Sequence, residues 1–229
     1  MSNEFLPSWR VRFGLFVFAI CQNGLLGGTL FGWASIDKTL LSESIEKGGA
    51  GLNLNDTTLI FTWASSVGMF SPFLLGMVLD NFGPRTCSFL SNCIIICGFV
   101  MFSLSEEFWE FAVGATLIGF GGSGITSSIV HISNLFPGHE NMAMGCLTGS
   151  VAISFSVFAV FDMIWNQVET TVQEIFLYFA SLATAFAIGA FWLFPDEPFE
   201  KVLDVDHRDQ QTSTPVSYTH LTLPTTPYV

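Results

Sequence analysis

Apolar residues in this chain gather into long runs, and the stretches between them carry the charge. Asp, Glu, Lys and Arg are absent from 13–36, 57–79, 86–105, 111–139, 141–161 and 175–195. An α-helix rises about 1.5 Å per residue and the hydrocarbon layer of a bilayer is about 30 Å thick, so about twenty apolar residues suffice to cross it. The pattern predicts six spanning helices, over 13–36, 57–79, 86–104, 111–136, 141–161 and 175–194. The expected fold class is an all-α membrane protein with a six-transmembrane-helix bundle over 13–195. An N-terminal segment (1–12) precedes it, and a polar linker (196–214) begins at Asp196 between Pro195 and Pro198.

Composition narrows the class. Of 229 residues 50% are hydrophobic and 11% charged, against about a quarter charged in soluble domains, which argues for lipid as the solvent. The net charge of −12 does not point to a basic partner, because the acidic residues sit in loops and tails on both sides of the membrane. No nucleic-acid partner is expected. Lys and Arg set orientation: Arg10, Arg12, Arg85, Lys201 and Arg208 fall on one side of six spans, Lys38 and Lys47 on the other. Both ends are therefore expected in the cytoplasm; plasma and vacuolar membranes are not distinguished.

The first apolar run follows Arg12, is too long for a signal-peptide core and lacks a small-residue cleavage site, so it reads as a retained helix. Cys21, Cys87, Cys93, Cys97 and Cys146 all lie in or at the ends of spans. That placement excludes a disulfide framework, and Cys93 with Cys97 reads as packing surface, not a metal pair. No metal, cofactor or catalytic residue is expected. Asn55-Asp56-Thr57 has the form of a glycosylation sequon but abuts the second span, where a sugar is not expected.

Polar residues inside spans are the functional candidates, since an amide at membrane depth must face protein or a water-filled cavity. Span one carries Gln22 and Asn23 among Gly24, Gly27, Gly28 and Thr29. The glycines four apart (24, 28, 32) permit close helix approach. Packing alone and a cavity both account for this cluster, with the cavity favoured for the two amides. Span four carries Gly119, Gly121, Gly122, Ser123, Gly124, Thr126, Ser127, Ser128, His131 and Asn134. Offsets of three and four place Gly124, Ser127, Ser128, His131 and Asn134 on roughly one face, and the glycines should thin the helix and bend it. His131 reads as a hydrogen-bonded structural residue, with a proton relay as the alternative. The last span is apolar and aromatic and is expected to face lipid.

Spans two and three are joined by about six residues, so they must be antiparallel neighbours. Gly83 supplies a positive φ for the turn, and Pro84 suits the first turn of the next helix. Asp80 stands at a helix C-terminus, where the dipole disfavours a carboxylate. It needs a compensating partner, either Arg85 or the N-terminus of another helix, and such a contact would latch two bundles reversibly.

Gly76, Asp80, Gly83 and Arg85 resemble the loop signature between helices two and three of the major facilitator superfamily, with Asn81 and Pro84 where basic residues are frequent. The resemblance covers residues 10 to 200. It implies the N-terminal half of a twelve-helix transporter that works by alternating access, with a C-terminal six-helix bundle as partner and a small-molecule solute as ligand. Because helices one and four line the central cavity in that superfamily, it implies Gln22, Asn23, Gly28, Ser123, Ser127 and His131 as cavity residues, and Gly76, Asp80, Gly83 and Arg85 as gating residues. Phe31-Gly32-Trp33, His131 to Phe136, Gly138-His139 and Thr148-Gly149-Ser150 are similar to the solute carrier branch of large neutral amino acid and nucleobase transporters, although Glu140 stands where a basic residue is common.

The expected function is transport of a small organic solute, an amino acid or related nutrient; the alternative is a transporter-like nutrient receptor. Proton or drug antiport is disfavoured because no acidic residue lies within a span, span five lacks the Gly-Pro of antiporters, and Val113-Gly114-Ala115 has no Arg. An intramembrane enzyme built on His131 with Ser127 or Ser128 lacks an acidic partner for the His, and no phosphate-binding loop supports an ATP-driven pump. Residues 215–229 stand apart. Pro215 to Thr225 resembles the in-frame translation of a library-adapter transposon end, so this tail is expected to be non-native and the chain a fragment; the alternative is a natural Thr/Pro tail.

Overall fold

The computed structural model describes residues 7–37 and 41–200, so Lys38, the linker beyond Glu200 and the adapter-like tail lie outside the described residues. Helix α1 (Trp9–Leu26) continues after a break as a 3-10 helix, Thr29–Ser35. Then come α2 (Leu54–Leu104), α3 (Phe108–Ile129) with a 3-10 continuation (Val130–Leu135), the short α4 (Glu140–Gly149), α5 (Val151–Ser154) and α6 (Val157–Gln167), and α7 (Val172–Leu193). No strand occurs among the described residues.

Helix α2 has 51 residues and would be about 75 Å long if straight, far beyond a bilayer. It is not straight. Gly83 has φ 78° and ψ 174°, the positive φ expected of the turn, and the chain folds back there. Cys87 Sγ lies 3.4 Å from the Leu75 carbonyl oxygen, a contact that a continuous helix twelve residues long cannot make. Two antiparallel arms result, 54–82 and 84–104. Among the described residues four helical stretches are long and apolar enough to cross a membrane, and α1 with its 3-10 continuation, bent by 42°, makes a fifth. The break at Gly83 divides the longest into two, which gives the expected six.

One end of the bundle gathers the start of α1, the Gly83 turn, the α3–α4 loop and the end of α7. There Trp9 packs edge-on against Phe136 at 5.9 Å, and Arg12 donates to the Leu135 carbonyl at 2.9 Å. At the opposite end Val172 N donates to Gly48 O at 3.0 Å. Capping places the helix starts at that end. Glu110 accepts from the backbone N–H of Glu106 and Glu107 at 2.8 and 3.2 Å, and Thr171 and Glu174 bond reciprocally at the start of α7.

The larger core cluster is aromatic. Phe102 stacks on Phe176 at 4.3 Å, and Phe99, Phe158, Phe161 and Phe179 close around them. The last span thus contributes one face (Phe176, Phe179, Ala183) to the core, and its opposite face (Tyr178, Ile188, Trp192) is exposed. The expected linker also begins differently. Phe199 stacks on His131 at 5.3 Å and its carbonyl accepts from Asn134 at 2.7 Å, so an apolar ring draws the first linker residues onto the bundle.

Candidate functional site

The polar residues of spans one and four converge because both helices are small-faced where they meet. At Gly122, a Cβ would approach the Gly27 carbonyl oxygen to 2.6 Å, so side chains larger than glycine would push α3 off the break in α1. Gly124 presses in the same way on Ser91 and Leu75 of α2. The α3 glycines therefore act by close approach, and α3 stays helical through all of them to Ile129. Span one bends at Gly27 and Gly28, between α1 and its 3-10 continuation.

Beside that bend lies a cleft of about 280 Å³, walled by Gly28, Thr29 and Leu30 from span one, Ser65, Gly68 and Met69 from the first arm of α2, and Gly119, Ser123, Thr126 and Ser127 from α3. Three of the expected cavity residues, Gly28, Ser123 and Ser127, are on this wall. Gln22 and Asn23 are not. Both are fully buried and serve helix packing. Asn23 Nδ2 donates to the Leu147 carbonyl and to Ser150 Oγ, each at 2.9 Å, while its Oδ1 accepts from Thr126 Oγ1 at 2.7 Å. One amide thereby fastens spans one, four and five. Gln22 Nε2 donates to Ser88 Oγ at 3.2 Å and its Oε1 has no partner among the described residues. Within this bundle the rotation of α1 about its axis turns both amides toward neighbouring helices.

His131 lines a second recess, about 640 Å³, at the Gly83 end, together with Asp80, Gly83, Asn134, Asp196 and Glu197. Among the described residues neither ring nitrogen meets hydrogen-bond geometry; the Ser128 carbonyl faces the ring without completing a bond. The ring is held by Phe199 and, edge-on at 6.3 Å, by Phe194. Aromatic rings thus hold the imidazole on one side, and the recess with its carboxylates opens beside it. Ser127 borders both the cleft and this recess, whereas Ser128 is buried and bonded to Ile125 O.

The four turn residues do different things. Arg85 pairs with Asp196 at 2.7 Å, and its Nε donates to the Phe194 carbonyl at 2.7 Å. It does not pair with Asp80, which makes no ion pair among the described residues. A Cβ at Gly83 would overlap the Asp196 carbonyl oxygen, and Gly76 has open space around it. Among the described residues no group of three or more His, Cys, Asp or Glu is placed to hold a metal ion.

Comparison with known proteins places this architecture. The profile of the Major Facilitator Superfamily matches residues 13–224. The chain belongs to that superfamily. It is 27% identical over 153 residues to Protein FMP42 of Saccharomyces cerevisiae, covering 61% of this chain and 30% of that protein. It is 21% identical over 256 residues to the human Large neutral amino acids transporter small subunit 3, covering 97% and 46%. The chain spans less than half the length of these relatives. Among solved structures it resembles a POT family transporter in complex with a thioalcohol conjugated peptide, with TM-score 0.62, 16% identity and coverage of 89% of this chain and 43% of that one. It also resembles the nucleoside transporter NupG, with TM-score 0.54, 14% identity and coverage of 84% and 53%. At these identities the structural likeness concerns the fold.

This major facilitator bundle is an integral, multi-pass membrane protein. Two of its cleft residues, Thr29 and Thr126, were visible in the sequence as members of the polar clusters but not as cavity residues. Ser65 and Gly68 carry no signal beyond small size on an otherwise apolar run.

Proposed function

We propose that this bundle is the N-terminal half of a carrier that moves a small organic solute, an amino acid or related nutrient, by alternating access. The observation that supports it is the hydroxyl-lined cleft between spans one, two and four, which Ser127 connects to the recess at the Gly83 end. A solute site between two bundles that rock about it needs such a surface on each. The partner is a second six-helix bundle facing the cleft, and both ends of this half lie in the cytoplasm. The solute class draws on the relative named for large neutral amino acids; another relative, at 27% identity over 137 residues, is named Myo-inositol transporter 1 of Saccharomyces cerevisiae.

In this mechanism Arg85 and Gly83 tie the turn to the end of the last span, which leaves Asp80 free to meet the other bundle. Gating acts through that carboxylate. The recess around His131 is the cytoplasmic mouth of the path. The test is counterflow in liposomes carrying the full-length gene product, with labelled L-leucine and labelled nucleobase. Accumulation of label driven by unlabelled solute inside supports the carrier. Saturable binding without flux would mark a receptor and overturn it.

A further inference from the structure

The hydrogen-bonding capacity of the cleft is unevenly spent. A hydroxyl has one proton to donate and two lone pairs to offer. Ser65 donates to Thr62 O at 3.2 Å, Thr126 to Asn23 Oδ1 at 2.7 Å and Ser127 to Ser123 O at 3.0 Å. Ser123 has the Phe120 carbonyl at 3.1 Å and the Ser71 hydroxyl beside it. To a solute these groups present lone pairs, because their protons are engaged. Thr29 is the exception. It is 1% exposed and borders the cleft, and its Oγ1, covered by neighbouring atoms in this conformation, has no partner among the described residues. It is also the first residue after the break in span one. Among the described residues no Asp, Glu, Lys, Arg or His lines the cleft.

We propose that this wall is a subsite for an uncharged, hydroxyl-bearing part of the solute, and that Thr29 sets its specificity by supplying the one hydroxyl with both proton and lone pairs free. The proposal rests on the carrier reading above. Hydroxyl groups of a solute donate to the lone pairs of Ser65, Ser123 and Ser127, and Thr29 answers a hydroxyl oxygen in return. Leu30, Met69 and Ile118 cover the C–H surface between them. A carboxylate or phosphate oxygen would bring lone pairs to lone pairs where no positive side chain compensates, and an uncompensated anion is costly to desolvate. A solute with a charged end turns that end away from this wall.

The test uses two probes with one carbon skeleton, xylitol and xylonate, and the full chain purified in detergent. Tritiated xylitol binding is followed by scintillation proximity with unlabelled competitors. Saturable binding is expected, displaced by xylitol and not by a tenfold excess of xylonate. Thr29→Val should weaken it about tenfold, the effect of one lost hydrogen bond, and Thr29→Ser, which restores the hydroxyl, should stay within about twofold of the parent. Xylonate competing as well as xylitol, Thr29→Val matching the parent, or no saturable xylitol binding would each overturn the subsite. Counterflow by the full-length protein is scored separately. Flux with xylonate competition removes the subsite alone, and xylitol binding without flux removes the carrier reading.

Discussion

Arg85 holds Asp196, 2.7 Å away, and thereby joins the turn after the second span to the end of the sixth. The pair is lopsided. Asp196 is 72% exposed, and an exposed pair contributes about 0–1 kcal/mol; the bond from Arg85 Nε to the Phe194 carbonyl adds about 0.5–1.5 kcal/mol. Arg85→Ala should therefore destabilise the bundle by about 1–2 kcal/mol and Asp196→Asn by less than half of that. Thermal unfolding of both variants in one detergent checks the order, and equal losses would show that the ion pair dominates.

Gly83 answers two demands at once, a φ of 78° and room for the Asp196 carbonyl. Gly83→Ala meets neither. Its positive-φ cost alone is about 1 kcal/mol, and the overlap forces the end of α7 away from the turn. The expected outcome is a larger loss than for Arg85→Ala, seen as reduced monodisperse yield in fluorescence-detected size exclusion. Gly76→Ala, with open space around it, should behave as the parent.

The two neighbouring amides of span one should separate sharply. Asn23→Leu removes three hydrogen bonds, although Ser150 Oγ keeps its bond to the Leu147 carbonyl at 2.6 Å and Thr126 Oγ1 has the Gly122 carbonyl at 3.4 Å, and each bond lost costs about 0.5–1.5 kcal/mol. Gln22→Leu removes one donor bond together with an oxygen that already lacks a partner, so about 0–1 kcal/mol is expected. Unfolding midpoints in detergent, with Asn23→Leu at least twice as damaging, are the measurement.

Asp80 borders the recess without an ion-pair partner among the described residues. Asp80→Asn should leave the melting temperature of this bundle unchanged. In the full-length carrier it should lower uptake by roughly two- to fivefold, the effect of losing one carboxylate contact with a helix terminus, at unaltered surface expression. Uptake kinetics equal to the parent would remove the latch.

Much of the bundle was readable before any coordinates. The uncharged runs locate the spans to within a few residues of the observed helices, because lipid excludes charge over a fixed thickness. The Gly83 turn was readable too, since a connection of about six residues between antiparallel helices admits few backbone paths and glycine takes the positive φ. Arg85 was harder. Asp80 lies five positions away and Asp196 lies 111 away, and no local pattern distinguishes the distant carboxylate from the near one.

The candidate site divides along the same line. Gly28, Ser123 and Ser127 border the cleft, whereas Gln22 and Asn23, in the same polar setting, turn toward neighbouring helices. Adjacent residues on a helix point about 100° apart, so a modest axial rotation moves an amide from a cavity to an interface. That rotation depends on where Gly122 lets α3 press against Gly27, and on span one bending there by 42°. Length, polarity and turn chemistry are local quantities, legible from the order of residues along the chain. Helix rotation, and with it the partner each buried polar group receives, comes from packing between segments far apart along the chain, and only the assembled bundle specifies it.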